Sequence, residues 1–160
     1  MKIWTLLFFL LPIVLLGQDS YFEEVVGTPF TGIAYGSIAF ADIDGDSDQD
    51  VLITGKDNNS NHTSELYTND GLGNYNIVSG TPFTGVIYSS IAFADIDGDN
   101  DQDVLITGYD NNSNPISKLY TNDGSGVYTE LTSSSITGVY ASSVAFADID
   151  GDSDQDLLIT

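Results

Sequence analysis

The sequence predicts an all-β protein made of β-propeller blades, each of about four short antiparallel strands, and three observations predict it. The chain matches itself at a fixed offset of 53 residues. Its patterned segments either alternate apolar residues or stay apolar for only four or five positions, which are strand signals. Asp-Gly and Asn-rich turns separate those segments, and no unit holds a helix.

The offset is set by Asp42, Asp95 and Asp148, which open three acidic segments at equal intervals. Residues 29–55 match residues 82–108 at 23 of 27 positions, differing only at Ile33/Val86, Ala34/Ile87, Gly36/Ser89 and Ser47/Asn100. Such likeness at a fixed period is the mark of a repeat architecture.

Within a unit the first strand is predicted over 37–41, with copies starting at Ser90 and Ser143. Alternation puts Phe40, Phe93 and Phe146 on the same side as Ile38, Ile91 and Val144. Residues 51–54, 104–107 and 157–160 are continuous apolar runs, the pattern of an inner strand buried on both faces. Residues 55–61 and 108–114 are turn material. His62, the single histidine, is expected as an exposed residue of that turn without a catalytic role, because Pro115 replaces it one period later. Residues 65–68 then lead through Asn69-Asp70-Gly71 into 75–78, and 118–121 lead into 127–131, each pair a hairpin. Four strands in roughly 50 residues is the size of one propeller blade.

At the N-terminus, Met1-Lys2 precedes an apolar run over 3–16, the length of a signal-peptide core and short of the ~20 residues of a membrane span. Residues 1–17 are expected to be a cleaved export signal, which leaves 18–160 as a secreted or cell-surface protein with no membrane segment of its own.

Composition narrows the chemistry. With 3 Lys plus Arg against 24 Asp plus Glu, the net charge of −21 repels nucleic acids and anionic membranes. The absence of Cys removes disulfides, thiolate nucleophiles and Cys-ligated metals. No Gly-x-Ser-x-Gly elbow occurs, and three copies of one acidic loop give no pair of carboxylates in different environments for acid–base work. The chain itself is therefore expected not to be an enzyme.

The acid is concentrated instead. Asp42, Asp44, Asp46, Asp48 and Asp50 occupy alternate positions of the first loop, Asp95, Asp97, Asp99, Asp101 and Asp103 those of the second, and Asp148, Asp150, Asp152, Asp154 and Asp156 those of the third. Five like charges in nine residues are unfavourable without a cation, and hard oxygen donors on a flexible loop suit Ca²⁺, one ion per loop. Mg²⁺ suits them less, since it prefers few carboxylates and retained waters. Gly45, Gly98 and Gly151 let the backbone wrap, while the Glu that closes an EF-hand loop is replaced by Ile53, Ile106 and Ile159. Asp48, Asp101 and Asp154 are expected to coordinate through the main chain or to stay near solvent, leaving twelve side-chain candidates.

Residues 90–108 and 116–130 resemble the FG-GAP/VCBS-type repeats of bacterial secreted proteins, and the acidic loops are similar to those of the calcium-bearing blades of integrin α-chain propellers. The resemblance implies a ring of about seven blades, within the ~4–8 of propellers, with each loop joining a blade's first two strands and binding calcium structurally. It places those loops on the face opposite the one integrins use for ligands. The Phe-Gly and Gly-Ala-Pro signatures themselves are missing, so an integrin-like partner is not implied. Three loops fall short of a full ring, and the chain is expected to be C-terminally truncated, its remaining blades absent. A short repeat closing by self-association is the rival reading.

The function expected is a calcium-binding scaffold for adhesion, or for binding an extracellular protein or glycan. The alternative is the non-catalytic propeller region of a larger secreted hydrolase or lyase. Positions that vary between units, Lys56/Tyr109 and Ala34/Ile87/Tyr140, are where specificity is expected.

Overall fold

The computed structural model describes residues 25–160, so the expected export signal lies outside the described residues. Ten strands form three sheets, and no helix occurs among the described residues. The first blade comprises β1 (Ala34–Ala41), β2 (Asp50–Lys56), β3 (His62–Asn69) and β4 (Tyr75–Ile77), in sheet order β1-β2-β3-β4. The second repeats it with β5 (Ile87–Ala94), β6 (Asp103–Tyr109), β7 (Pro115–Asn122) and β8 (Tyr128–Glu130). A third unit has two strands, β9 (Val144–Ala147) and β10 (Asp156–Ile159). Every neighbouring pair within these sheets is antiparallel. The all-β meander of incomplete propeller blades is thus the observed architecture.

The inner strands β2 and β6 are buried along their length up to the final residue, as their unbroken apolar runs require. Their two faces serve different neighbours. Leu52 and Leu66 of the first blade pack against Ile91, Val104, Ile106 and Tyr120 of the second in one core cluster. Leu105 and Leu119 then meet Val144, with Phe146, Leu157 and Ile159 packed beside them. Within each blade a Phe locks the outer half: Phe30 lies edge-on to Tyr67 at 5.1 Å, and Phe83 repeats this against Tyr120 at 5.0 Å.

The strands run further than their apolar patterns indicate. Gly55 and Lys56 belong to β2, pairing with Thr63 and His62, so the turn shrinks to 57–61. His62 is therefore not an exposed turn residue: it opens β3, half-buried, with its Nδ1 buried and without a partner. Backbone pairing makes no demand on hydropathy, which is why polar strand ends escape a pattern-based reading. The tight turn is closed by side chains, since the Asp57 carboxylate accepts the amides of Asn59 at 2.9 Å and Asn61 at 2.7 Å. Asp110 does the same for Asn112 and Asn114.

Near the start of each first strand the ladder slips between Ala34 and Ser37, and again between Ile87 and Ser90. Tyr35 and Tyr88 sit at the slips with φ of 56° and 49°, a left-handed conformation that is costly for a bulky side chain.

Candidate functional site

Each acidic loop connects the first and second strands of its unit, spanning 42–49, 95–102 and 148–155. Tight wrapping comes from two left-handed residues per loop, Gly45 at φ 78° and Ser47 at 74° in the first, with equivalents in the other two. Gly tolerates this without cost, whereas Ser47, Asn100 and Ser153 are held there by hydrogen bonds. The Asp42 carboxylate accepts the amides of Gly45 at 2.9 Å and Ser47 at 3.0 Å, so the opening aspartate organises the loop. Asp95 and Asp148 do the same at their positions.

The closing aspartates are the most buried. Asp50 Oδ2 accepts the Ile43 amide at 2.9 Å and its Oδ1 the Asn69 amide at 2.8 Å, clamping the loop to the end of β3. Asp103 holds Ile96 and Asn122 in the same way, and Asp156 holds Ile149. Burial pushes the Asp50 and Asp103 carboxyls up, against the pull of those amides, and the neighbouring loop carboxylates add to the rise.

Carboxylate oxygens of Asp42, Asp44 and Asp50 lie within 4.8 Å of one another, as do those of Asp95, Asp97 and Asp99, and of Asp148, Asp150 and Asp156. Asp46, Asp103 and Asp152 are not drawn into these sets. Neither are Asp48, Asp101 and Asp154 at the seventh position. Asp48 and Asp101 lean instead on the β3–β4 and β7–β8 turns, where any side chain at Gly71 or Gly124 would strike their carboxylates.

The donor set passes a test of fit for a hard divalent cation. Asp44 Oδ1 is buried and has no hydrogen-bond partner, an arrangement that costs free energy unless a ligand reaches it. Desolvation, followed by the charges of Asp46 and Asp42, raises its carboxyl from the ordinary value. The three carboxylate oxygens within 4.8 Å of one another are donors of the hard type that a divalent cation takes.

One participant was not anticipated. Asn122 is buried at the end of β7, and its side-chain amide donates to the Ile43 carbonyl at 2.8 Å, so the second blade grips the first blade's loop. The signal lay in the recurring Asn-Asp-Gly at 69–71 and 122–124, which also reads as a hairpin turn.

A family model described as FG-GAP-like repeat matches residues 42–106 and again 95–159. No curated protein and no solved structure matches the chain.

Proposed function

Because the chain belongs to the FG-GAP-like repeat family, a β-propeller-like repeat scaffold, we propose that it is an exported protein whose blades are locked by calcium and present a surface to an extracellular protein or glycan. The observation that carries the metal reading is the orphaned, buried Asp44 Oδ1 beside Asp42 and Asp50. Asp42, Asp44 and Asp50 would hold the ion in the first loop, Asp95, Asp97 and Asp99 in the second, and Asp148, Asp150 and Asp156 in the third. Bound calcium supplies charge neutralisation and a fixed loop shape, not a reaction. An ion that binds only the folded loop adds roughly 1.4 kcal/mol at ten times its Kd, and three add about 4 kcal/mol.

The presenting surface lies at the opposite end of the strands, where a row of tyrosines crosses all three units. Tyr35 and Tyr88 have ring centroids 4.8 Å apart, Tyr88 and Tyr109 6.5 Å, and Tyr109 and Tyr140 3.9 Å in a stack. Tyr35, Tyr88 and Tyr140 are exposed, while Tyr109 and Tyr140 are non-repeating positions. Tyrosine offers a flat apolar face and a hydroxyl at low entropic cost, which suits either a protein or a sugar ring. With a net charge of −21, nucleic acid is not a partner.

The test is thermal unfolding of the chain followed by circular dichroism in EDTA, Ca²⁺ and Mg²⁺. A β-rich signal that melts much higher with Ca²⁺ than with either alternative is expected. Indifference to EDTA would sink the metal reading.

A further inference from the structure

One residue reaches both of the first two acidic loops. The backbone amide of Asn122 donates to Asp103 Oδ1 at 2.8 Å, and the same carboxylate accepts the Ile96 amide and so closes the second loop. The Asn122 side chain serves the first loop instead: its Nδ2 donates at 2.8 Å to the Ile43 carbonyl, in the peptide that leads into Asp44. Its Oδ1 accepts the amides of Gly124 at 3.3 Å and Gly126 at 3.2 Å, which fixes the turn between β7 and β8. Asn122 is 5% exposed, so each of these bonds is costly to lose.

The turn also packs on the first loop directly. Gly126 has φ of 77°, and a Cβ there would lie 3.4 Å from Ile43 Cδ1 and 4.0 Å from Asp44 Cβ. Asn69, the counterpart of Asn122 in the first blade, is not placed in this way. Its Nδ2 turns to the Gln49 carbonyl of its own loop at 3.2 Å, and its Oδ1 has no partner among the described residues.

Resting on the calcium reading given above, we propose that Asn122 couples the first two loops, so that calcium in either one raises the affinity of the other. Asn122 is a positioning residue, outside both sets of converging carboxylates. The route is contiguous and runs from the second loop through Asp103 to Asn122, and from there through the Ile43 carbonyl to Asp44. Its two states are a turn docked on Ile43 and a turn released from it. An ion that orders the second loop holds Asp103 still, and with it the docked turn. The first loop then has less freedom to lose when its own ion arrives, which is positive cooperativity. By linkage the effect is the same in the other direction.

The experiment is calorimetric calcium titration of the full chain, with circular dichroism as the check on folding. Every chain carries Asp150→Ala, which silences the third loop at the position that Asp44 and Asp97 hold in theirs. Silencing the second loop by Asp97→Ala is expected to weaken the first by at least ~5-fold. With Asn122→Ala in place, the same Asp97→Ala change is expected to leave the first loop's affinity as it was. Tyr128→Phe removes this turn's bond to the Gln102 carbonyl but spares Asn122, and is expected to keep the coupling. If Asn122→Ala loses its fold, amide exchange decides, in a chain with Asp44→Ala and Asp150→Ala where the second loop alone can bind. Calcium is then expected to slow exchange at Ile43 by at least ~5-fold, and by more than at Leu52 of the same blade. Equal changes at Ile43 and Leu52, or none, overturn the proposal. A first loop indifferent to Asp97→Ala overturns the coupling and leaves the calcium reading standing, and coupling that survives Asn122→Ala overturns the role of Asn122. Absence of calcium binding in every chain overturns both readings.

Discussion

The first strands of the first two blades are nearly the same sequence in opposite surroundings. Ile38 is 57% exposed in β1 and its copy Ile91 is 8% exposed in β5, although the hydrogen-bond register with the next strand is the same. The difference teaches that the ladder is local while burial belongs to the stack: a preceding blade buries Ile91, and among the described residues none stands before Ile38. Stability in such an array is a sum of unit and joint terms, so identical residues contribute unequally according to place.

The largest expected break in this comparison comes from the ions. If the loops hold calcium as proposed, chelation removes charge neutralisation from them, and the first loop, enclosed by the second blade, should lose order later than the second as EDTA is raised. Amide exchange of Ile43 against Ile96 measures it. Next in size, Ile91→Ala should cost about 2–5 kcal/mol and Ile38→Ala under ~1 kcal/mol in monomeric protein, read by denaturant titration. Equal losses would mean that the face of β1 is covered. Asn122→Ala should cost about 1–3 kcal/mol, because it strands the Ile43 carbonyl. Asn69→Ala should cost less, since that side chain reaches only the exposed Gln49 carbonyl at 3.2 Å. The smallest effect is spectroscopic. The Tyr140 hydroxyl, hydrogen-bonded to Tyr109, pushes the Tyr109 phenol up from 10.0 to about 12. An acid raised on folding lends stability below its unfolded value and loses it as pH rises through about 12, so Tyr109 should ionise late in an ultraviolet titration. Tyr140→Phe should return it toward 10.0.

Much of this was legible in the sequence, for identifiable reasons. The repeat, the strand order and the loop positions follow from side-chain pattern, which the chain states three times. Asp42 and Gly45 act through contacts a few residues away, so their roles follow from spacing. What stayed hidden depends on distant partners. His62 is in a strand because Lys56 pairs with it, and hydropathy does not report that pairing. Asn122 acts across 79 residues, and the tyrosine row assembles from separate units. Nor does spacing reveal that Asp99 takes the place in the second cluster that Asp50 and Asp156 hold in theirs.

The grip of Asn122 on the Ile43 carbonyl has a consequence in time. Ile43 is 1% exposed and Ile149 68%, so three loops of almost one sequence stand on a gradient of confinement. Amide exchange from each is gated by how often its surroundings open. Amides of near-identical loops should therefore exchange at different rates, slowest where a neighbouring blade encloses them. A chemically uniform array becomes a graded timer, with its order written by neighbours and not by donors.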